Sequence, residues 1–129
     1  MAKIEAYIPI VGEAIIDDLK LLAERLKGRI IQHINSTAVG GGVAEILTRM
    51  VPLFKDLGID TRWDLIKGGE QFFGVTKKFH NALHGRLEEI SRRDFEIFIE
   101  ASQSNVEEVN TYGDIVFVHD PQPIALIKK

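Results

Sequence analysis

Along this chain, apolar residues recur first at every second position and then at every third or fourth. Ile4, Ala6, Ile8 and Ile10 alternate with other residues, which predicts a short strand or an extended arm. Pro9 within it favours an edge position. Ile15, Leu19, Leu22 and Leu26 then follow helical spacing, with Asp17 and Asp18 early and Lys27 late. That charge order suits a helix dipole, and Gly28 ends the helix. Arg29 to Asn35 reads as a strand with Ile30, Ile31 and Ile34 apolar, followed by a loop from Ser36 to Gly42. Val43, Ile46, Leu47, Met50, Phe54 and Leu57 form the next helical stripe. Pro52 lies inside it and is expected to kink the helix near Thr48.

Ile59 to Lys67 is a second strand, with Thr61, Trp63 and Leu65 on one face, and Gly68-Gly69 breaks it. Phe72, Thr76, Phe79 and Leu83 mark another helix, closed by Gly85. Ser91 is placed to cap the helix that carries Phe95, Phe98, Ile99, Val106 and Val109, with Asp94 three residues on as its capping-box partner. Gly113 to His119 is the third strand. Its Ile115-Val116-Phe117-Val118 run is apolar on both faces, the pattern of a strand buried in a parallel sheet, and it is expected to be the most buried of the three. Pro121 and Pro123 favour a helix start after it. Strands alternating with helical crossovers of this length imply an α/β fold with a parallel sheet wrapped by helices.

Length and composition narrow the function classes. The 129 residues fit one domain, with 45% apolar residues and a net charge of −3. The mild negative charge supplies no basic field and argues against nucleic acid as a partner. No apolar run reaches the ~18 residues of a membrane span, and the N-terminus lacks the apolar stretch of a signal peptide. The expected location is the cytoplasm, with no membrane partner. The chain has no cysteine, which excludes disulfides and thiolate metal sites.

Ligands of open α/β sheets bind beyond the C-terminal ends of the strands. Three loops qualify: Ser36 to Gly42, Gly68 to Gly69, and Asp120 to Pro123. Gly40, Gly41 and Gly42 before a helix leave backbone N–H groups uncovered, and the helix end favours an anion. The same glycines also suit a tight turn. The loop is not a phosphate-binding Walker loop, since no Gly-Lys-Ser/Thr follows. Glu45 occupies the third glycine position of the dinucleotide fingerprint, which argues against a nicotinamide cofactor. His80 and His84, four apart on one helix, have a spacing that suits a metal, but that helix supplies no clear third ligand. Asp120 offers a carboxylate that can accept hydrogen bonds from sugar hydroxyls or orient a nucleophile; equally, it can cap the helix start at Pro121. Trp63 fits a core position better than a sugar platform.

In order and spacing, several of these segments resemble one family. They are Asn35-Ser36-Thr37, Gly40-Gly41-Gly42-Val43-Ala44-Glu45, Phe72-Phe73, Val75-Thr76-Lys77, Phe79-His80-Asn81-Ala82-Leu83 and His119-Asp120-Pro121-Gln122-Pro123. The chain from about Leu19 to Ile127 resembles the N-terminal half of the glycosyltransferring trehalose synthases. The resemblance implies a retaining, metal-independent glycosyltransferase of the two-domain GT-B fold, without a cofactor. Residues 1–129 are then a single truncated, incomplete Rossmann-like three-layer domain on the acceptor side. The implied reaction moves glucose from a nucleotide-diphosphate-glucose to the anomeric hydroxyl of glucose, giving α,α-trehalose, and runs in reverse.

By the same resemblance, Gly40, Gly41 and Gly42 approach the donor phosphates, while His80, Asn81, Asp120 and Gln122 line the acceptor sugar pocket. Asp120 is the candidate catalytic residue. The nucleotide-sugar is expected to bind only with a donor half that these residues do not supply, so the chain is expected to be inactive alone. Self-association through an exposed sheet edge or exchange of the N-terminal arm is expected. The alternative function is a non-catalytic α/β binding or assembly module derived from a glycosyltransferase.

Overall fold

The structure, a computed structural model, describes residues 3–128. It is α/β. A 3-10 turn (Ile4–Tyr7) and short helix α1 (Ile8–Val11) lead into α2 (Glu13–Glu24). β1 (Ile30–Asn35), α3 (Gly42–Asp56), β2 (Asp60–Leu65), α4 (Glu70–Leu83), α5 (Arg92–Glu108) and β3 (Ile115–Val118) follow. A 3-10 turn at Ile124–Lys128 completes the order. The three strands form a parallel sheet in the order β2-β1-β3, consistent with an incomplete Rossmann-like domain.

The chain divides into two compact units, and each strand begins in the first and ends in the second. The first gathers the chain up to His33 with Ala38–Trp63 and Tyr112–Phe117. Its core joins Ala23, Ile31 and Ile59 to Leu26, Phe54, Leu57 and Ile115. Gln32 fastens the segment before β3: its Oε1 accepts the N–H of Tyr112 at 3.1 Å and of Gly113 at 3.2 Å. Asp114 Oδ2 accepts the Ile30 N–H at 2.7 Å. These bonds carry the chain into β3 beside the strand it pairs with.

The second unit comprises Ile34–Thr37, Asp64–Thr111 and the chain from Val118 on. Its core joins Ile34, Ile66, Phe72 and Leu126 to the inner face of α5. Asn105, in the last turns of α5, mimics a strand neighbour. Its Oδ1 accepts the Lys67 N–H and its Nδ2 donates to the Lys67 carbonyl, both at 2.7 Å. Ser91 and Asp94 form a reciprocal capping box at the start of α5, as their spacing predicts.

Three expectations need correction. Residues 4–11 are helical rather than an extended strand or arm. Pro9 sits in the first turn of α1, where its missing N–H costs nothing, and Asp56 accepts both Lys3 Nζ and the Ile4 N–H at 2.8 Å. The most buried strand is β1, not β3. β1 is central, with Ile31–Asn35 all buried, whereas β3 is an edge strand whose Val116 and Phe117 are 37% and 46% exposed. In α2 the buried residues are Ile16 and Ala23, while Ile15, Leu19 and Leu22 face outward. Beside these three corrections, Pro52 lies inside α3, as the sequence places it, and leaves the Thr48 carbonyl without its i+4 donor.

Candidate functional site

In the first unit, the sharp turn into α3 explains the glycines. Gly40 and Gly41 have φ of 74° and 84°, in the left-handed region. Gly41 is the N-cap of α3, and no side chain caps the helix. The first turn of this 15-residue helix therefore lacks a side-chain cap, and a Cβ built at Gly40, Gly41 or Gly42 meets nothing within 4 Å. Gly40 and Gly42 border an open groove of about 1110 Å³ lined also by Val39, Glu45 and Arg49. Glu45 places an acid in the first turn, where it favours the helix but opposes an incoming anion. Arg49, one turn further on, is the cation that pattern reading overlooked. Its only sequence signal is its i+7 spacing from Gly42.

His80, Asn81, Asp120 and Gln122 all belong to the second unit. His80 and Asn81 lie in the last turn of α4. The imidazoles of His80 and His84 lie side by side with centroids 4.3 Å apart, and His84 Nδ1 is 2.8 Å from the His80 carbonyl oxygen. Among the described residues, no third His, Asp or Glu joins them. Asn81 donates from Nδ2 to Glu88 Oε1 at 2.6 Å, and its carbonyl accepts the Arg86 N–H at 3.0 Å. Asn81 thus braces the turn leaving α4. Glu88 joins the site by folding back onto Asn81, seven residues away, which no helical spacing announces.

Beyond β3, the His119 N–H donates to the Ile34 carbonyl at 2.9 Å and extends the strand pairing by one residue. Burial pushes the His119 imidazole below its ordinary pKa, and the Asp120 carboxylate partly opposes this. Asp120 has φ of 67°, the single non-glycine positive φ among the described residues. Aspartate tolerates that region better than most residues, yet it still costs about 1–2 kcal/mol. The turn exposes the Asp120 carboxylate and half-buries Gln122 two residues on. Gln122 Oε1 is buried and has no hydrogen-bond partner. A buried acceptor of this kind is costly unless something donates to it.

The glycine turn, His80-Asn81 and His119-Asp120-Pro121-Gln122 all fall in the stretch of sequence that matches a known family. Residues 33–129 match the model of the trehalose synthase N-terminal domain. The chain belongs to that family. It is 44% identical over 128 residues to the trehalose synthase of Thermococcus litoralis, covering 98% of this chain and 31% of that protein. It is 44% identical over 126 residues to the trehalose synthase of Rubrobacter xylanophilus, covering 95% of this chain and 30% of the relative. The trehalose phosphorylase of Pleurotus pulmonarius is 28% identical over 144 residues, with 98% of this chain and 19% of that protein covered. The chain thus spans under a third of the length of the trehalose synthases it matches. Among its described residues no helix is long and apolar enough to cross a membrane.

Proposed function

We propose that this chain supplies the acceptor side of a retaining glycosyltransferase that joins glucose, from a nucleotide-diphosphate-glucose, to the anomeric hydroxyl of a second glucose. The observation that carries this reading is the turn after β3. There a left-handed Asp120 stands two residues from a buried, unpartnered Gln122 Oε1. Asp120 and Gln122 accept hydrogen bonds from acceptor hydroxyls, with His80 and Asn81 as further polar contacts. Asp120 is the proposed catalytic residue, and it orients the attacking hydroxyl. Gly40, Gly41 and Gly42 present main-chain N–H groups to the donor phosphates, an arrangement suited to negative charge. In a same-face reaction the leaving phosphate takes the acceptor proton. Positioning and charge stabilisation then matter more than a protein base. The nucleotide is read elsewhere, and these 129 residues alone transfer little or no glucose.

Nuclear magnetic resonance titration tests the reading. Glucose and trehalose should shift the amide signals of His80, Asn81, Asp120 and Gln122. No response to either sugar would overturn the acceptor role and favour an assembly module. A coupled assay should find no trehalose formed by the chain alone, and an enzyme-like rate would refute that part.

A further inference from the structure

The outward stripe of α2 has the layout of a helix-pairing seam. Ile15, Leu19 and Leu22 follow the 4-3 spacing of coiled-coil contact positions. They are 50%, 38% and 53% exposed, and Leu26, the next in the series, turns into the core. On one flank of the seam lie Ile16 and Ala23, which are buried and hold α2 to its own unit. On the other flank lie Asp18 and Arg25, seven residues apart and both exposed. Neither takes part in an ion pair among the described residues, whereas their neighbours Lys20 and Lys27 are bound to Glu5 and Glu24.

We infer that the occupant of this face is a second copy of the chain, with its α2 laid antiparallel across a twofold axis. Two features select that partner. First, the charges are self-complementary. In an antiparallel pair the residues on the same flank face each other, so Asp18 of each copy meets Arg25 of the other, twice by symmetry. A parallel pair would set the Asp18 and Arg25 flank against the Ile16 and Ala23 flank, leaving both charges without a partner. Second, the face is apolar. Ile15, Leu19 and Leu22 offer roughly 300 Å² per copy, and Ile10 and Val11 of α1, just before α2 in the chain, are 78% and 42% exposed and extend the apolar surface a twofold contact can draw on.

Sedimentation equilibrium of the 129-residue chain tests this. A monomer–dimer equilibrium with a dissociation constant on the order of tens of micromolar is expected. Asp18→Arg and Arg25→Asp, made separately, should each weaken it by about tenfold or more, because each sets like charges face to face. Mixing the two variants should restore association, since the flank that carries two acids in one chain then meets the flank that carries two arginines in the other. That rescue cannot come from damage to the fold, and circular dichroism of each variant checks that the helices persist. Leu19→Ala/Leu22→Ala should abolish the dimer. A wild-type monomer at millimolar concentration would overturn the inference. So would a dimer that both charge variants leave intact, as pairing through a β2 or β3 sheet edge would give.

Discussion

Replacing Gln32 should loosen the approach to β3 by an amount the structure allows to be worked out. The side chain is wholly buried in the central strand, and its Oε1 accepts from two successive backbone N–H groups, Tyr112 and Gly113. Each bond contributes about 1 kcal/mol net, so Gln32→Met, which keeps the volume and removes the acceptor, should cost about 2 kcal/mol. Gln32→Ala also deletes buried methylene packing worth about 0.8 kcal/mol, so about 3 kcal/mol is expected. The contact is tight: a Cβ at Gly113 would come within 2.7 Å of Gln32 Cβ, which leaves little room for another residue to fill the gap. Urea denaturation of both variants gives the two differences, and amide hydrogen exchange locates them. The Tyr112 and Gly113 amides should exchange faster in the Met variant while those of β1 keep their protection. A Met variant within about 0.5 kcal/mol of the parent, with protection unchanged at Tyr112 and Gly113, would refute the reasoning.

Asn105→Ala removes two bonds to Lys67 and one to the Ala101 carbonyl, so a loss of about 3 kcal/mol in urea denaturation is expected. The Asp94 carboxylate is held down to about 2 by hydrogen bonds from the Ser91 backbone and side chain and from Lys78. Because the folded value lies below the unfolded one, its stabilisation is present above about pH 4 and is lost as pH falls toward about 2. An acid titration followed by circular dichroism should show this loss, and Asp94→Asn should remove that part of the pH dependence. Asp120→Gly relieves the left-handed backbone and should leave thermal stability equal or slightly higher, while it abolishes the glucose-induced shift at Gln122 in the titration above.

Much of the local structure was legible because it rests on residues close together in the chain. The glycine turn into α3 needs conformations that side chains disfavour, so Gly40 and Gly41 declared it. The capping box at α5 needs only Ser91 and a carboxylate three residues on. The alternation from Ile4 to Ile10 misled because four apolar residues two apart also place Ile4 and Ile8 on one face of a helix, and Pro9 is as welcome in a first helical turn as at a sheet edge. In α2 the apolar residues cover more than one face. Periodicity found the stripe from Ile15 to Leu22, but packing buried Ile16 and Ala23 instead.

The candidate site divides in the same way. Its residue types and their order along the chain were visible at once, and they carried the family. Their environments were not. Gln32, His33 and Asn35 are buried because β1 has a strand on each side, while Val116 and Phe117 are exposed because β3 has one. Strand order is a property of the whole sheet, and the apolar pattern of a single strand does not contain it. The left-handed turn at Asp120, the buried oxygen of Gln122 and the fold-back of Glu88 onto Asn81 likewise depend on where distant segments bring the backbone. By itself the sequence determined which chemical groups are available and where the glycine-led α3 and the Ser91-capped α5 start. Only the tertiary structure decided which of those groups are left wanting a partner, because burial and hydrogen-bond satisfaction depend on neighbours remote in the chain.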